Sequence, residues 1–444
     1  MFIIYIQMEP QYMIDSDVPS FMNAQEYEYL EVQSDNANVL NDDQFRFELK
    51  DTNSLTNLSR AYLEIRLAIE KTDGTAYVGT DNVALNGSVG TLFSRAVLRL
   101  NNMVVESTDQ CHVVNSLKPL LLYSKDYSSS SSTNELFYLH TGGNLDTTLN
   151  SHKNITALIG DGSQGAGSIL IEEDANYNEG HKRLRDRLSA SAEVSAILPL
   201  ECLVDFASVD KIITNLNVSL ELTRSDRNYH MFRSGTVDGR VSVKRASLWV
   251  PRIQAQPSLE MELKSAFSSG IISNFRFKKW NAYLPSALDG AGTFSTRIAT
   301  MSERVVGVFV MAKPSAINQT VNTNKTVDVL TDLYVRINGK QYPQQAYSNL
   351  KLTQGKTRAY LNLLDYQSRG SDVSSGIQLD RVNWENQSVY YVNTEAMIAN
   401  DSKSPSTVEI NCSTDGACQL HCVIVSEKVV SVNYVGSQPQ VSVF

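Results

Sequence analysis

A basic surplus is the first thing this chain of 444 residues lacks: 39 Lys and Arg stand against 48 Asp and Glu, a formal net charge of −9. A protein that wraps nucleic acid by neutralising phosphates carries a basic excess or a dense basic stripe. The compact basic cluster here is "HKRLRDR", His181 to Arg187, and its plain reading is the solvated face of a short helix or loop. No apolar run approaches the roughly 18 residues that span a bilayer. The opening "MFIIYIQMEP" has a few apolar residues but no basic flank, which makes a poor secretory signal. These absences predict a protein retained inside the cell that makes it, without a membrane span and without a specific nucleic-acid partner.

Cysteine is scarce as well. The five (Cys111, Cys202, Cys412, Cys418 and Cys422) are odd in number and spread out except for the last three, unlike the disulfide framework of a secreted domain. Asn-x-Ser/Thr sequons such as those at Asn154 and Asn318 arise by chance in so Asn-, Ser- and Thr-rich a chain, and without a secretory signal they are not read as glycosylated. The six histidines (His112, His140, His152, His181, His230 and His421) show no metal-ligand spacing. Cys111 beside His112 suggests a nucleophile pair only on paper, because sequence neighbours on a strand point apart and no third group orients the base. "GDGSQG", Gly160 to Gly165, matches the glycine pattern of a dinucleotide loop, but the "AGSILIEED" that follows is no helix opening. Carboxylates are plentiful, yet nothing singles out a pair. No catalytic, cofactor-binding or metal-ligating residue is assigned, no cofactor is expected, and the chain is read as a non-enzyme.

What the chain does have is alternation of period two. In "AYLEIRLAIE", Leu63, Ile65, Leu67 and Ile69 fall on one face and Tyr62, Glu64, Arg66 and Glu70 on the other, the signature of a half-buried strand. "NLNVSLELT" repeats it with Leu216, Val218, Leu220 and Leu222. "ERVVGVFVMAKP" is apolar enough to be covered on both faces, and Pro314 ends it.

One hairpin is written twice. In "LRLNNMVVE", with Asn101 and Asn102 as the turn, Leu100 is expected opposite Met103, Leu98 opposite Val105, Arg99 opposite Val104 and Val97 opposite Glu106. In "YVRINGKQY", Asn338-Gly339 is the turn, Ile337 faces Lys340 and Val335 faces Tyr342. A helical candidate follows each, "CHVVNSLKPLLLYSKD" and "RAYLNLLDYQ". A third hairpin is expected in "TVEINCSTDGACQLHCVIV", with Cys412 facing Cys418, Ile410 facing Leu420 and Val408 facing Cys422. The three thiols then share the apolar face as small hydrophobes. A Cys412–Cys418 disulfide stays open, and a zinc site is disfavoured because His421 points away from Cys422.

The organisation that follows is an arm over 1–40, a first sandwich over 41–255 with a surface insertion at about 126–192, a linker over 256–270, a second sandwich over 271–428 and a tail over 429–444. The predicted fold class is all-β: two tandem eight-stranded jelly-roll sandwiches with long insertion loops and short helices.

The succession "ILPLECLVDFASVDKIITNLNVSLELTRSD", "GRVSVKRASLWVPRIQAQPSLEMEL", "ERVVGVFVMAKPSAINQT" and "DLYVRINGKQYPQQAY" resembles the double jelly-roll major capsid proteins of polinton-like and adintovirus-like double-stranded DNA viruses. The earlier "LSRAYLEIRLAIEKTDGT" and "VGTLFSRAVLRLNNMVVE" fit the same pattern. The resemblance implies a structural protein of the virion, assembled inside the host cell. Three copies would close into a pseudo-hexagonal capsomer that tiles the faces of an icosahedral shell, with a single jelly-roll penton protein and minor capsid proteins as further partners. The alternative from another class is a tandem β-sandwich that binds a carbohydrate or receptor, which requires a concave aromatic-lined site. A two-sandwich hydrolase or copper oxygenase is the third; the oxygenase requires clustered His or Met ligands at strand spacing.

Overall fold

The computed structural model describes residues 24–35, 43–49, 55–75, 77, 82–139, 179–189, 193–234, 238–258, 261, 265, 270, 272–301, 303–370, 376–395, 406–435 and 438–443. Two sets of eight strands carry the fold. The first comprises β1 (Ala24–Gln33), β2 (Gln44–Leu49), β3 (Tyr62–Lys71), β4 (Phe93–Leu100), β5 (Met103–Asp109), β6 (Val194–Pro199), β7 (Val218–Arg224) and β8 (Gly239–Ala255). The second comprises β9 (Ile272–Leu288), β10 (Gly292–Met301), β11 (Arg304–Lys313), β12 (Leu330–Ile337), β13 (Lys340–Tyr347), β14 (Tyr390–Asn393), β15 (Ser406–Thr414) and β16 (Cys418–Val435).

In the first set β8 lies between β1 and β3, with β6 beyond β3, and the facing sheet runs β2–β7–β4–β5. The second set repeats both orders with eight added to every label: β9–β16–β11–β14 and β10–β15–β12–β13. All these pairings are antiparallel, and each pair of sheets closes on one core as a jelly roll does. Leu63, Ile65 and Leu67 of β3 and Val218, Leu220 and Leu222 of β7 are buried from opposite sheets, as their alternation requires.

The repeated hairpins are equivalent down to their turn chemistry. Asn101 and Asn102 have φ of 47° and 65°, and Asn338 and Gly339 have 51° and 80°, the positive values that a two-residue hairpin needs. The first asparagine of each turn also clamps the neighbouring strand. Asn101 donates its N–H to Asn217 O (2.9 Å) and accepts from Asn217 N at Oδ1 (2.9 Å). Asn338 does the same with Thr407, at 3.1 and 2.9 Å. Alanine at either position loses that bond and strains the left-handed backbone, an expected cost of about 2–3 kcal/mol. Glycine keeps the backbone freedom and should cost about 1 kcal/mol. Urea unfolding of the four variants checks this, and equal losses for alanine and glycine would refute the backbone part.

The second hairpin has the expected register, Ile337 opposite Lys340 and Val335 opposite Tyr342. The first keeps the expected register next to its turn, Leu100 opposite Met103 and Arg99 opposite Val104, and departs from it beyond. A bulge between Leu98 and Arg99 sets Leu98 opposite Glu106 and Val97 opposite Ser107. Met103 and Val104, on the turn side of the bulge, are exposed, while beyond it Glu106 turns inward with no exposed surface. The third expected hairpin is absent: β15 and β16 belong to different sheets, and the Asp415-Gly416 turn carries the chain from one to the other. Cys412, Cys418 and Cys422 are nonetheless all buried in the second core, as free thiols.

Two segments read as an arm and a tail are strands, and the basic cluster, read as the solvated face of a short helix or loop, lies on a helix. Residues 24–33 of the expected arm form β1, whose Glu28 pairs with Arg252 of β8 (3.3 Å) and whose Glu31 pairs with Arg245. Residues 429–435 of the expected tail continue β16, and Gln438–Val443 adds a strand along it. They do so because Val430, Val432 and Tyr434 are buried in the first sandwich's core. The basic cluster lies on helix Glu179–Ser189, whose Leu184 and Leu188 are buried while Lys182 pairs with Asp186 (2.5 Å) and Arg183 with Glu179 (3.0 Å). Residues 1–23, the "GDGSQG" stretch and most of the 256–270 linker lie outside the described residues.

Candidate functional site at the seam between the sandwiches

The two sandwiches share their cores. Phe275 and Phe277 of β9 lie in the first core with Val430 and Val432 of β16. In return helix α1 (Cys111–Leu122), which follows the first hairpin, sends Val113, Val114, Leu117, Leu120 and Leu121 into the second. Every residue of α1 from Cys111 to Leu121 is buried, so it serves as an internal strut rather than a surface helix. Its counterpart α2 (Thr353–Gly370) follows the second hairpin and covers β14. Gly90 sits against α1 where nothing larger fits: a Cβ there would lie 2.7 Å from Asn115 Cγ.

At the centre of the seam is a buried ionic network that begins with the bulge in the first hairpin. Glu106 accepts the backbone N–H groups of Asp205 (2.9 Å) and Phe206 (2.7 Å), fixing the turn Asp205–Ser208. Asp205 accepts Lys118 Nζ of α1 at 2.5 Å and the backbone N–H of Trp280 in β9 at 2.6 Å. Lys118 also donates to Glu201 O (3.2 Å) and lies 6.0 Å from the Trp280 ring. Trp280 stacks on Phe309 of β11, with centroids 5.1 Å apart and planes 10° from parallel. The chain Glu106–Asp205–Lys118–Trp280 thus connects β5 and α1 to the second sandwich.

Burial, with the charge of Asp205 added, pushes the Glu106 carboxyl up to about 7. Burial alone would pull Lys118 down, but the charge and hydrogen bond of Asp205 outweigh it and hold the ammonium above its ordinary value. With Glu106 protonated, one carboxylate faces one ammonium and the network is neutral. A neighbouring cluster behaves alike: Glu135 accepts the Tyr123 and Tyr127 hydroxyls at 2.6 and 2.9 Å, and burial pushes its carboxyl up to about 7.

These groups border a cavity of about 940 Å³ between the sandwiches, lined by Tyr123, Tyr127, Cys202, Trp280 and Tyr366 with Arg276, Lys278 and Lys428 at its rim. Its aromatic groups are already engaged: both tyrosine hydroxyls on Glu135, Tyr366 edge-on to Phe309 at 5.1 Å, and Trp280 stacked. The Cys111–His112 pair does not form a nucleophile. Burial pushes the Cys111 thiol up to about 12 among first-core residues, whereas His112 lies against Tyr229 at 4.2 Å. His421 and Cys422 point to opposite faces of β16, as alternation predicts: Cys422 enters the second core and His421 faces α1. Among the described residues no group of three or more His, Cys, Asp or Glu could hold a metal ion. Sequence reading passed over Glu106, Lys118, Asp205 and Trp280, which carry no motif.

No family model and no curated protein sequence matches the chain. Solved structures do. A chain of the Sputnik virophage structure superposes with a TM-score of 0.58 at 10% identity, over 96% of this chain and 89% of that one. The mavirus major capsid protein gives 0.52 at 9% identity over 97% and 94%, and the faustovirus major capsid protein 0.54 at 10% over 94% and 92%. The chain is a double jelly roll. At such identities the likeness is one of fold, and it extends over both sandwiches and the seam that joins them. In this double jelly roll the seam acts as a structural joint, because each core takes in side chains of the other sandwich.

Proposed function

We propose that this double jelly roll is a major capsid protein of an icosahedral double-stranded DNA virus, and that three copies close into a pseudo-hexagonal capsomer tiling the faces of the shell. The observation that carries the reading is the duplication itself. Two sandwiches of one connectivity, held rigidly side by side by a shared core, present a nearly sixfold outline when three chains meet on a threefold axis. The mavirus and faustovirus proteins with the same fold over almost their whole length are major capsid proteins. The sequence resemblance supports reading the virus as polinton-like or adintovirus-like, with a penton protein and minor capsid proteins as the partners it implies in the virion. The role is structural and calls on no catalytic group. An acidic balance of −9 suits a shell that encloses DNA without adhering to it.

Exposed apolar side chains at the edges mark the proposed contacts between copies: Met103 and Val104 on β5, and Leu352 and Leu361 at α2. Mass measurement with negative-stain imaging tests the proposal. A particle of about three times 49.3 kDa with a hexagonal outline is expected, and Leu361→Glu combined with Leu352→Glu should weaken it at least tenfold toward monomer. A persistent monomer of 49.3 kDa at high concentration would reject the capsomer.

A further inference from the structure

A second polar cluster lies between α1 and the outer face of β11 and β16, and the ionic network of the seam does not use it. His421 of β16 stands opposite Met311, so Lys313, two residues further along β11, projects from the same sheet face. His112 approaches from the first turn of α1, and the three residues line one small cavity with Tyr229 and the loop that holds Lys325. The free space, about 10 Å³, admits one water-sized sphere.

The polar groups here are poorly matched to one another. His112 and His421 are 3% and 1% exposed, and none of their four ring nitrogens has a hydrogen-bond partner. Lys313 is 6% exposed; its Nζ donates to Thr323 O at 2.5 Å and, among the described residues, has no carboxylate in ion-pair range. The ionisable groups facing this space are His112 from α1, Tyr229 from the turn Arg227–His230, Lys313 from β11, His421 from β16 and Lys325 from the loop. His230, just behind Tyr229, is bonded through Nδ1 to Ser225 Oγ at 3.0 Å. Among the described residues no carboxylate lines the cavity. A metal cation would meet the Lys313 ammonium, and a water molecule would leave that charge uncompensated.

We propose that the cavity is a binding site for one small monovalent anion of halide size, held by the Lys313 ammonium and by one ring N–H each from His112 and His421. A neutral imidazole has one N–H to offer, so neither histidine needs prior protonation, and the charge comes from the Lys313 ammonium. Burial, Lys313 and His230 hold His112 down to about 3, and burial holds Lys313 down to about 8. An anion among them raises all three groups, so binding takes up protons and tightens as pH falls. His112 and Tyr229 come from the first sandwich and Lys313 and His421 from the second, so an occupant ties the two together.

Bromide is the probe. Crystals of the intact protein grown without halide and soaked in sodium bromide should show an anomalous peak within hydrogen-bond distance of Lys313 Nζ. In solution, each tenfold increase in bromide past half-saturation should raise Tm by roughly 1–3 °C above sodium gluconate of equal ionic strength. The rise should be larger at about pH 6 than at about pH 8, and Lys313→Met should abolish both the peak and the bromide-specific rise. The wild-type comparison of bromide with gluconate decides the matter even if that variant fails to fold. No peak in the cavity overturns the proposal. A peak with identical Tm in the two salts means an adventitious ion only, and overturns it equally.

Discussion

Replacing Lys118 with methionine should lower the stability of the chain by about 3–5 kcal/mol at about pH 8, and by clearly less at about pH 5.5. Methionine keeps most of the stem that packs in α1 and removes the ammonium. Glu106 and Asp205, 0% and 5% exposed, then face each other with only backbone and hydroxyl donors. Glu106 already takes up a proton at about 7 in the folded protein, above its ordinary 4.5. A group raised in this way favours the folded state below its ordinary value, and that contribution is lost as pH rises through the folded one. Removing Lys118 raises Glu106 further, so acidification to about pH 5.5 relieves the repulsion in the variant more than in the parent. Urea unfolding at the two pH values reads the difference. An equal loss at both would mean that packing, not charge, is what Lys118 contributes. Glu106→Gln serves as the control, because it should remove most of the pH dependence without leaving a buried charge.

The buried histidines work in the opposite sense. Burial lowers His112 to about 3 and His230 to about 4, and it lowers His421 as well. Depressed groups stabilise the fold above their ordinary 6.5, and that contribution is lost as pH falls through their folded values. Between 4.5 and 6.5 they oppose Glu106 and Glu135; below that window the loss is unopposed. Acid should therefore open the seam, where His112 and His421 sit, before it reaches the outer parts of either sandwich.

The seam was the least legible part of the sequence, for a physical reason. Strand alternation and an Asn-led turn are local: Leu63, Ile65 and Leu67 announce their face unaided, and Asn338-Gly339 sets its own register. The bulge after Leu98 is not local. Glu106 turns inward to meet two N–H groups a hundred residues away, and nothing near it in the chain says so. β1 escaped notice because its outward positions are acidic and find Arg245 and Arg252 only across the sheet. Asp415-Gly416 misled in another way, since a hairpin and a crossing between facing sheets begin with the same turn residues. Lys118 read as an ordinary helix lysine because its partners Glu201 and Asp205 stand 83 and 87 residues further along and Trp280 further still. The duplicated hairpin and the family resemblance were what the sequence offered toward function, since no catalytic motif stands in it.

Trp280→Ala should cost about 3–5 kcal/mol and should also split the thermal transition in two. The ring is 4% exposed, stacked on Phe309, and edge-on to Tyr366 with centroids 6.1 Å apart, so its removal leaves a void that the stiff sheet beneath cannot close. The backbone bond from Trp280 N to Asp205 survives, which confines the damage to packing. Position makes the loss more than an ordinary core truncation. The first core contains side chains of β9 and β16 and the second contains those of α1, so neither sandwich can unfold without exposing part of the other. The parent chain should therefore unfold in one calorimetric transition despite its two sandwiches. Weakening the joint lowers the coupling free energy while leaving the far strands intact, and the less stable sandwich can then melt first. Phe294→Ala on β10, half-buried against the second core, gives the contrast: a loss of stability with a single transition preserved. If the parent already melts in two steps, the shared core is not what couples the sandwiches.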